Sequence, residues 1–122
     1  MRLLCVEDDR VNALLLEQSC RHAGDLTLQF AESGADALEQ VAQFAPDLLV
    51  IDLYLPDTDG YALLAALREA LGAPALPAVL CTAAAPADVA RAAAHAGFLQ
   101  VWSKPVSVDV IRSTLTRLAP QT

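Results

Sequence analysis

Residues 47–52 read Asp-Leu-Leu-Val-Ile-Asp, four apolar side chains in a row between two acids. A half-exposed strand would alternate apolar with polar; Leu48–Ile51 does not. A run apolar on both faces is the pattern of a strand covered by helices above and below, as in a parallel sheet. This stretch is therefore expected at the centre of such a sheet, with Asp52 at its carboxyl end. Leu53–Asp59 then reads as a loop containing Pro56. A helix follows from about Gly60, with Leu63, Leu64, Leu67 and Leu71 at helical spacing and Gly72 just past its end.

Working outward, the same alternation recurs. Leu3–Val6 is a buried strand that stops at Glu7-Asp8-Asp9. Arg10 to about His22 is a helix with apolar positions Val11, Leu14 and Leu15, stopped by Gly24. Leu26–Phe30 alternates with period two, which suits an outer strand. Ser33–Asp36 resembles a capping box and opens a helix carrying Leu38, Val41 and Ala45, ended by Pro46. Leu76–Cys81 is a fourth strand, Ala87–Ala96 an Ala-rich helix closed by Gly97, and Phe98–Trp102 a fifth strand. Ser107 can cap a last helix bearing Ile111, Leu115 and Leu118.

Five strands alternating with five helices predict an α/β fold: a three-layer, doubly wound sandwich around a parallel sheet. Right-handed crossovers and the short chain favour the strand order 2-1-3-4-5. The 122 residues suit one domain spanning residues 1–122.

Composition excludes several classes. At 55% hydrophobic the chain can build a core, yet no apolar run reaches the roughly 18 residues of a membrane span. The formal net charge of −7 repels phosphate backbones, so direct nucleic-acid binding is not expected. Cys5, Cys20 and Cys81 are scattered and form no C-x-x-C pair. They read as buried free thiols in a reducing compartment, which points to a cytoplasmic protein.

In the proposed strand order, strands 1, 3, 4 and 5 are neighbours. Their carboxyl ends carry Glu7 and Asp8, Asp52, Thr82, and Lys104-Pro105. Ligands of open α/β sheets bind at that edge. Clustered carboxylates repel one another, and a hard divalent cation relieves the repulsion. Mg²⁺ prefers oxygen ligands at roughly 2.0–2.1 Å and keeps coordination places for phosphate. Glu7, Asp8 and Asp52, with a loop carbonyl assigned to Tyr54, form its expected shell. A carboxylate can act as a nucleophile toward phosphorus. Lys104 supplies a positive charge and Thr82 a hydroxyl for the other phosphoryl oxygens. Asp9 is a supporting candidate beside the metal pair.

The stretches LLCVEDDRVN, PDLLVIDLYLPDTDGYALL, LPAVLCTAAA and GFLQVWSKPV resemble the response-regulator receiver family of two-component signalling. The resemblance runs from Leu3 to Leu118. It implies that Glu7 and Asp8 bind Mg²⁺, that Asp52 is the phosphoacceptor, that Thr82 senses the phosphoryl group, and that Lys104 precedes a cis-prone proline. Pro56 and Gly60 match the loop after the phosphoacceptor. The implied donor is a phosphohistidine on a histidine kinase or histidine phosphotransfer protein. The implied readout is a covalently linked or separate output domain, reached by a change of shape. One departure stands out: Val101 occupies a position that is aromatic in many members. Trp102 next to it should point to the opposite face and pack near the surface.

The competing readings are a degenerate receiver acting as a phosphorylation-independent interaction module, an aspartyl-phosphate phosphohydrolase, and a flavodoxin. The phosphohydrolase reading lacks an acid at position 54 and a cap domain. The flavodoxin reading meets three acids after strand 1 that would repel the cofactor phosphate. His95 reads as a surface histidine.

Overall fold

Strands and helices alternate without exception along residues 1–118, the part of the chain that the computed structural model describes. They are β1 (Arg2–Val6), α1 (Arg10–Arg21), β2 (Thr27–Ala31), α2 (Gly34–Phe44), β3 (Leu48–Asp52), α3 (Gly60–Leu71), β4 (Ala78–Thr82), α4 (Pro86–Ala96), β5 (Gln100–Ser103) and α5 (Val108–Leu118). The sheet is parallel throughout, in the order β2-β1-β3-β4-β5. The expected α/β sandwich is the fold. Residues 119–122 of the expected 1–122 domain lie outside the described residues.

β3 is buried at every position, as an inner strand of a two-sided sheet must be. Its alternate residues feed two separate cores. Leu49 and Ile51 pack with Val41 of α2, Leu63 and Leu67 of α3 and Ala93 of α4. Leu48 and Val50 pack with Leu16 and Cys20 of α1 and Ile111 of α5. The layers are thus α2, α3 and α4 on one face and α1 and α5 on the other. No helix among the described residues is long and apolar enough to cross a membrane.

Several local expectations need correction. α1 does not bury Val11, Leu14 and Leu15; they are 65%, 59% and 46% exposed, and Leu16 and Cys20 face the core instead. The helix is apolar on more than one side, so periodicity alone leaves its rotation open. In α2 Leu38 is exposed and the core side is Ala37, Val41 and Phe44. Ala45 lies beyond the helix, in the left-handed region at φ 51°. β4 begins at Ala78, because Leu76 closes a turn onto the Ala73 carbonyl and Pro77 has no N–H. β5 begins at Gln100, because the Phe98 N–H turns back to the Ala93 carbonyl at the end of α4. β2 runs one residue later than expected.

The Ser33 hydroxyl does accept from the Asp36 N–H, but Asp36 returns its bond to the Glu32 N–H, one residue before the expected partner. Ser107 accepts from the Val110 N–H and caps α5. Trp102 does face away from Val101, but it is fully buried against the α1 and α5 layer. Its indole N–H donates to the Thr114 hydroxyl at 3.2 Å.

Candidate functional site

The carboxyl edge of the sheet is assembled by backbone bonds that continue the strands. The Glu7 N–H donates to the Ala31 carbonyl at 2.9 Å, which extends the β1–β2 ladder and fixes where Glu7 projects. Asp9 then caps α1 through bonds from the Val11 and Asn12 N–H groups, and its own N–H reaches Glu7 Oε2. Asp52 pairs in register with Cys81. The Lys104 N–H donates to the Thr82 carbonyl at 2.9 Å, carrying the β4–β5 ladder one step past Ser103. The Lys104–Pro105 peptide bond is cis.

These placements bring four charged side chains together. Oxygens of Glu7, Asp8 and Asp52 all lie within 4.8 Å of one another. Lys104 Nζ is 2.5 Å from Glu7 Oε1 and 3.2 Å from Asp52 Oδ1. Glu7 and Asp52 are buried, whereas Asp8 is exposed at the rim. Burial, reinforced by Asp52 and opposed by the Lys104 ammonium, pushes the Glu7 carboxyl up from 4.5 to about 7. Burial pulls the Lys104 ammonium down, but Glu7 and Asp52 outweigh it and hold the group above its ordinary value.

The donor set fits a small hard cation: all oxygen, anionic, and close enough to share one ion. Lys104 balances part of the negative charge but offers no coordinating atom. Glu7, Asp8 and Asp52 are the side chains that would hold the ion.

Thr82 is buried, and its hydroxyl oxygen accepts from the Ala84 N–H at 3.2 Å. That bond orients the oxygen and leaves its hydrogen free to donate. Tyr54 pairs with Asp59 across a short antiparallel turn. The flanking bonds are Gly60 N–H to the Leu53 carbonyl at 2.7 Å and Leu55 N–H to the Thr58 carbonyl at 3.1 Å. In such a pair the central residues turn their own N–H and C=O away from the partner strand. The Tyr54 carbonyl therefore faces out of the turn and accepts no backbone bond among the described residues. Tyr54 is 74% exposed.

The family model described as "Response regulator receiver domain" matches residues 3–116. The chain belongs to the response regulator receiver domain family. Receiver domains of this family are signalling domains of two-component systems. The receiver is 35% identical to a Myxococcus xanthus protein-glutamate methylesterase/protein-glutamine glutaminase over 92% of its own length and 32% of that protein's. It is 34% identical to the Escherichia coli sensor histidine kinase RcsC over 98% of its length and 12% of the kinase. It thus spans a minor part of both curated relatives. Among solved structures, a Chloroflexus aurantiacus protein described as a response regulator superposes with a TM-score of 0.86 at 32% identity, covering 96% of this chain and 95% of that one.

The receiver's structure brings Glu7, Asp8, Asp52 and Lys104 into one cluster, with Thr82 on the strand beside Asp52. His95 is exposed on α4, and Val101 packs half-buried against the α2–α4 core. Reading residue types at strand ends missed what shapes the 53–60 turn. Asp59 accepts from the Ala62 N–H and caps α3. The need for glycine at position 60 is steric: a Cβ there would lie 2.8 Å from the Asp52 carbonyl oxygen. Asp57 takes the Gly34 and Ala35 N–H groups at 2.8 and 2.9 Å, and those bonds, Gly34 first, hold its carboxyl below the usual range. The signal for Asp59 was its place just before a helix. Nothing local announced Asp57.

Proposed function

We propose that this receiver accepts a phosphoryl group on Asp52 from the phosphohistidine of a histidine kinase or histidine phosphotransfer protein. The observation that carries the reading is the convergence of the Glu7, Asp8 and Asp52 carboxylates with the Lys104 ammonium at one edge of the sheet. Mg²⁺ held by Glu7, Asp8, Asp52 and the Tyr54 carbonyl would neutralise charge on the incoming group. An Asp52 carboxylate oxygen forms the new bond to phosphorus. The donor's P–N bond breaks, and its electron pair stays on the imidazole nitrogen. Lys104 exchanges its contact with Asp52 for a phosphoryl oxygen, and the Thr82 hydroxyl donates to another.

Because Thr82 is tied to Ala84, movement of its hydroxyl toward the phosphoryl group passes to the start of α4. A shifted α4 is the signal an output domain reads, and slow self-catalysed hydrolysis ends it. A phosphorylation-independent interaction module would not need Glu7, Asp8, Asp52 and Lys104 together; their co-occurrence argues against that reading. Three buried free thiols suit a reducing cytoplasm as the site of action.

The exposed Val11, Leu14 and Leu15 supply the docking reading. Leu14 lines a groove with Glu7 and Asp8, so this apolar patch borders the acids. An apolar face beside a reacting group suits a helical partner that must bring its histidine to Asp52.

The test is mass spectrometry after incubation with Mg²⁺ and acetyl phosphate. The wild type should gain the mass of one phosphoryl group and Asp52→Asn should not. Equal labelling of both would remove Asp52 from the role. A companion variant, Leu14→Glu, should keep labelling by acetyl phosphate while losing transfer from a phosphohistidine protein.

A further inference from the structure

Besides the packing of Leu53 and Leu55 on the core, polar contacts hold the 53–60 turn at its base, at its end and near its tip. At its base the Gly60 N–H bonds the Leu53 carbonyl, and at its end Asp59 caps α3. The third hold is remote. Asp57, near the tip, places one carboxylate oxygen on the Gly34 N–H at 2.8 Å and the other on the Ala35 N–H at 2.9 Å. Those are the first two N–H groups of α2, which have no partner within their own helix. Asp57 thus joins the turn to a helix that begins 23 residues earlier in the chain.

The contact is close as well as polar. A Cβ on Gly34 would fall 2.6 Å from the Thr58 methyl carbon, so any larger residue at 34 requires the Thr58 side chain to move. Between the Leu53–Gly60 bond and the Leu55–Thr58 bond, the Tyr54 carbonyl is turned out of the hairpin, without a backbone partner among the described residues. A carbonyl on a short turn keeps its direction only while the turn keeps its shape. Asp57 ties the tip of that turn to α2, in addition to the packing of Leu53 and Leu55 on the core.

We infer that Asp57 is a positioning residue for the cation: by clamping the turn to the N-terminus of α2 it fixes the direction of the Tyr54 carbonyl, which the phosphoacceptor reading makes a ligand beside Glu7, Asp8 and Asp52. The inference rests on the proposed phosphoacceptor reading and adds a residue that touches neither metal nor phosphoryl group. Groups that orient metal ligands in this way commonly change affinity without taking part in the chemistry.

The experiment measures Mg²⁺ affinity of the full chain by calorimetry, and separately the rate of acetyl phosphate labelling as Mg²⁺ is varied. Asp57→Ala removes both bonds, Asp57→Asn keeps one acceptor oxygen, and Gly34→Ala disturbs the same junction from the other side. Thermal unfolding of each variant checks that it remains folded. Asp57→Ala should weaken Mg²⁺ binding about tenfold and shift the labelling curve to higher Mg²⁺, while the rate at saturating Mg²⁺ stays at the wild-type value. Asp57→Asn should fall between, and Gly34→Ala should shift the curve in the same direction. Wild-type Mg²⁺ affinity in Asp57→Ala, or a lowered saturating rate with unchanged affinity, would overturn the positioning role. Failure of the wild type itself to bind Mg²⁺ or to label would instead overturn the phosphoacceptor reading beneath it.

Discussion

Lys104 and Glu7, 97 residues apart in the chain, meet at 2.5 Å at the carboxyl edge of the sheet. The lysine also touches Asp52 at 3.2 Å. One ammonium, carried just past the end of β5, thus reaches the ends of β1 and β3, neither of which is paired with β5 in the sheet. Without a cation this ion pair is the main counterweight to the clustered acids.

That arrangement sets a pH dependence. The Glu7 carboxyl is raised by burial from 4.5 to about 7, so the folded protein holds this proton more tightly than the unfolded chain does. Its contribution to stability is complete below the unfolded value and is lost as pH rises through the folded value. In EDTA, the wild-type melting temperature should therefore fall more between about pH 5 and about pH 8 than that of Glu7→Gln. Parallel curves for the two proteins would contradict this. Since Mg²⁺ requires the ionised carboxylate, its affinity should climb across the same interval.

Tyr54 stands two residues past Asp52 and is 74% exposed. A ring of that size can fold over an occupied Asp52 and obstruct the attacking water. Tyr54→Asn should shorten the phosphoaspartate lifetime severalfold with little change in folding stability. The decay of phosphorylated protein, followed by intact mass, reads this directly, and an unchanged lifetime would discard the shielding role.

Thr114 is fully buried and receives two donors, Gln100 Nε2 at 2.6 Å and Trp102 Nε1 at 3.2 Å. Thr114→Val keeps the shape and removes the acceptor. The buried indole N–H is then left without a partner, which should cost about 1–3 kcal/mol. Urea unfolding followed by the fluorescence of Trp102, the single tryptophan, measures it.

Gly60→Ala should be destabilising and should also slow labelling. The added methyl would meet the Asp52 carbonyl at 2.8 Å and Leu80 Cδ1 at 3.0 Å, and the first of these is backbone that cannot step aside cheaply. A cost of about 1–3 kcal/mol follows from forcing such a contact. Denaturant unfolding gives the stability, and acetyl phosphate labelling at saturating Mg²⁺ gives the rate. A variant as stable and as quickly labelled as wild type would show that the approach can relax.

Strand identity and strand order were legible because they depend on local pattern and on general rules of chain connection. Leu48–Ile51 could only be an inner strand, and acids at strand ends could only gather on one edge. Helix rotation was not legible in α1, where Val11, Leu14 and Leu15 make as good an apolar stripe as Leu16 and Cys20. The choice was made by the two-helix layer, in which α1 shares its face of the sheet with α5 alone. Full burial of Trp102 was not legible, because it depends on the core that α1 and α5 complete on that face of the sheet.

From its own letters the chain determined an alternating parallel α/β fold and the residue types at each strand end, since both follow from periodicity and short-range chain geometry. Only the tertiary structure decided that Lys104 sits between Glu7 and Asp52, that the Tyr54 carbonyl turns outward, and that Asp57 grips the start of α2. Those are contacts between segments brought together by sheet order, and their distances are set by packing rather than by spacing along the chain.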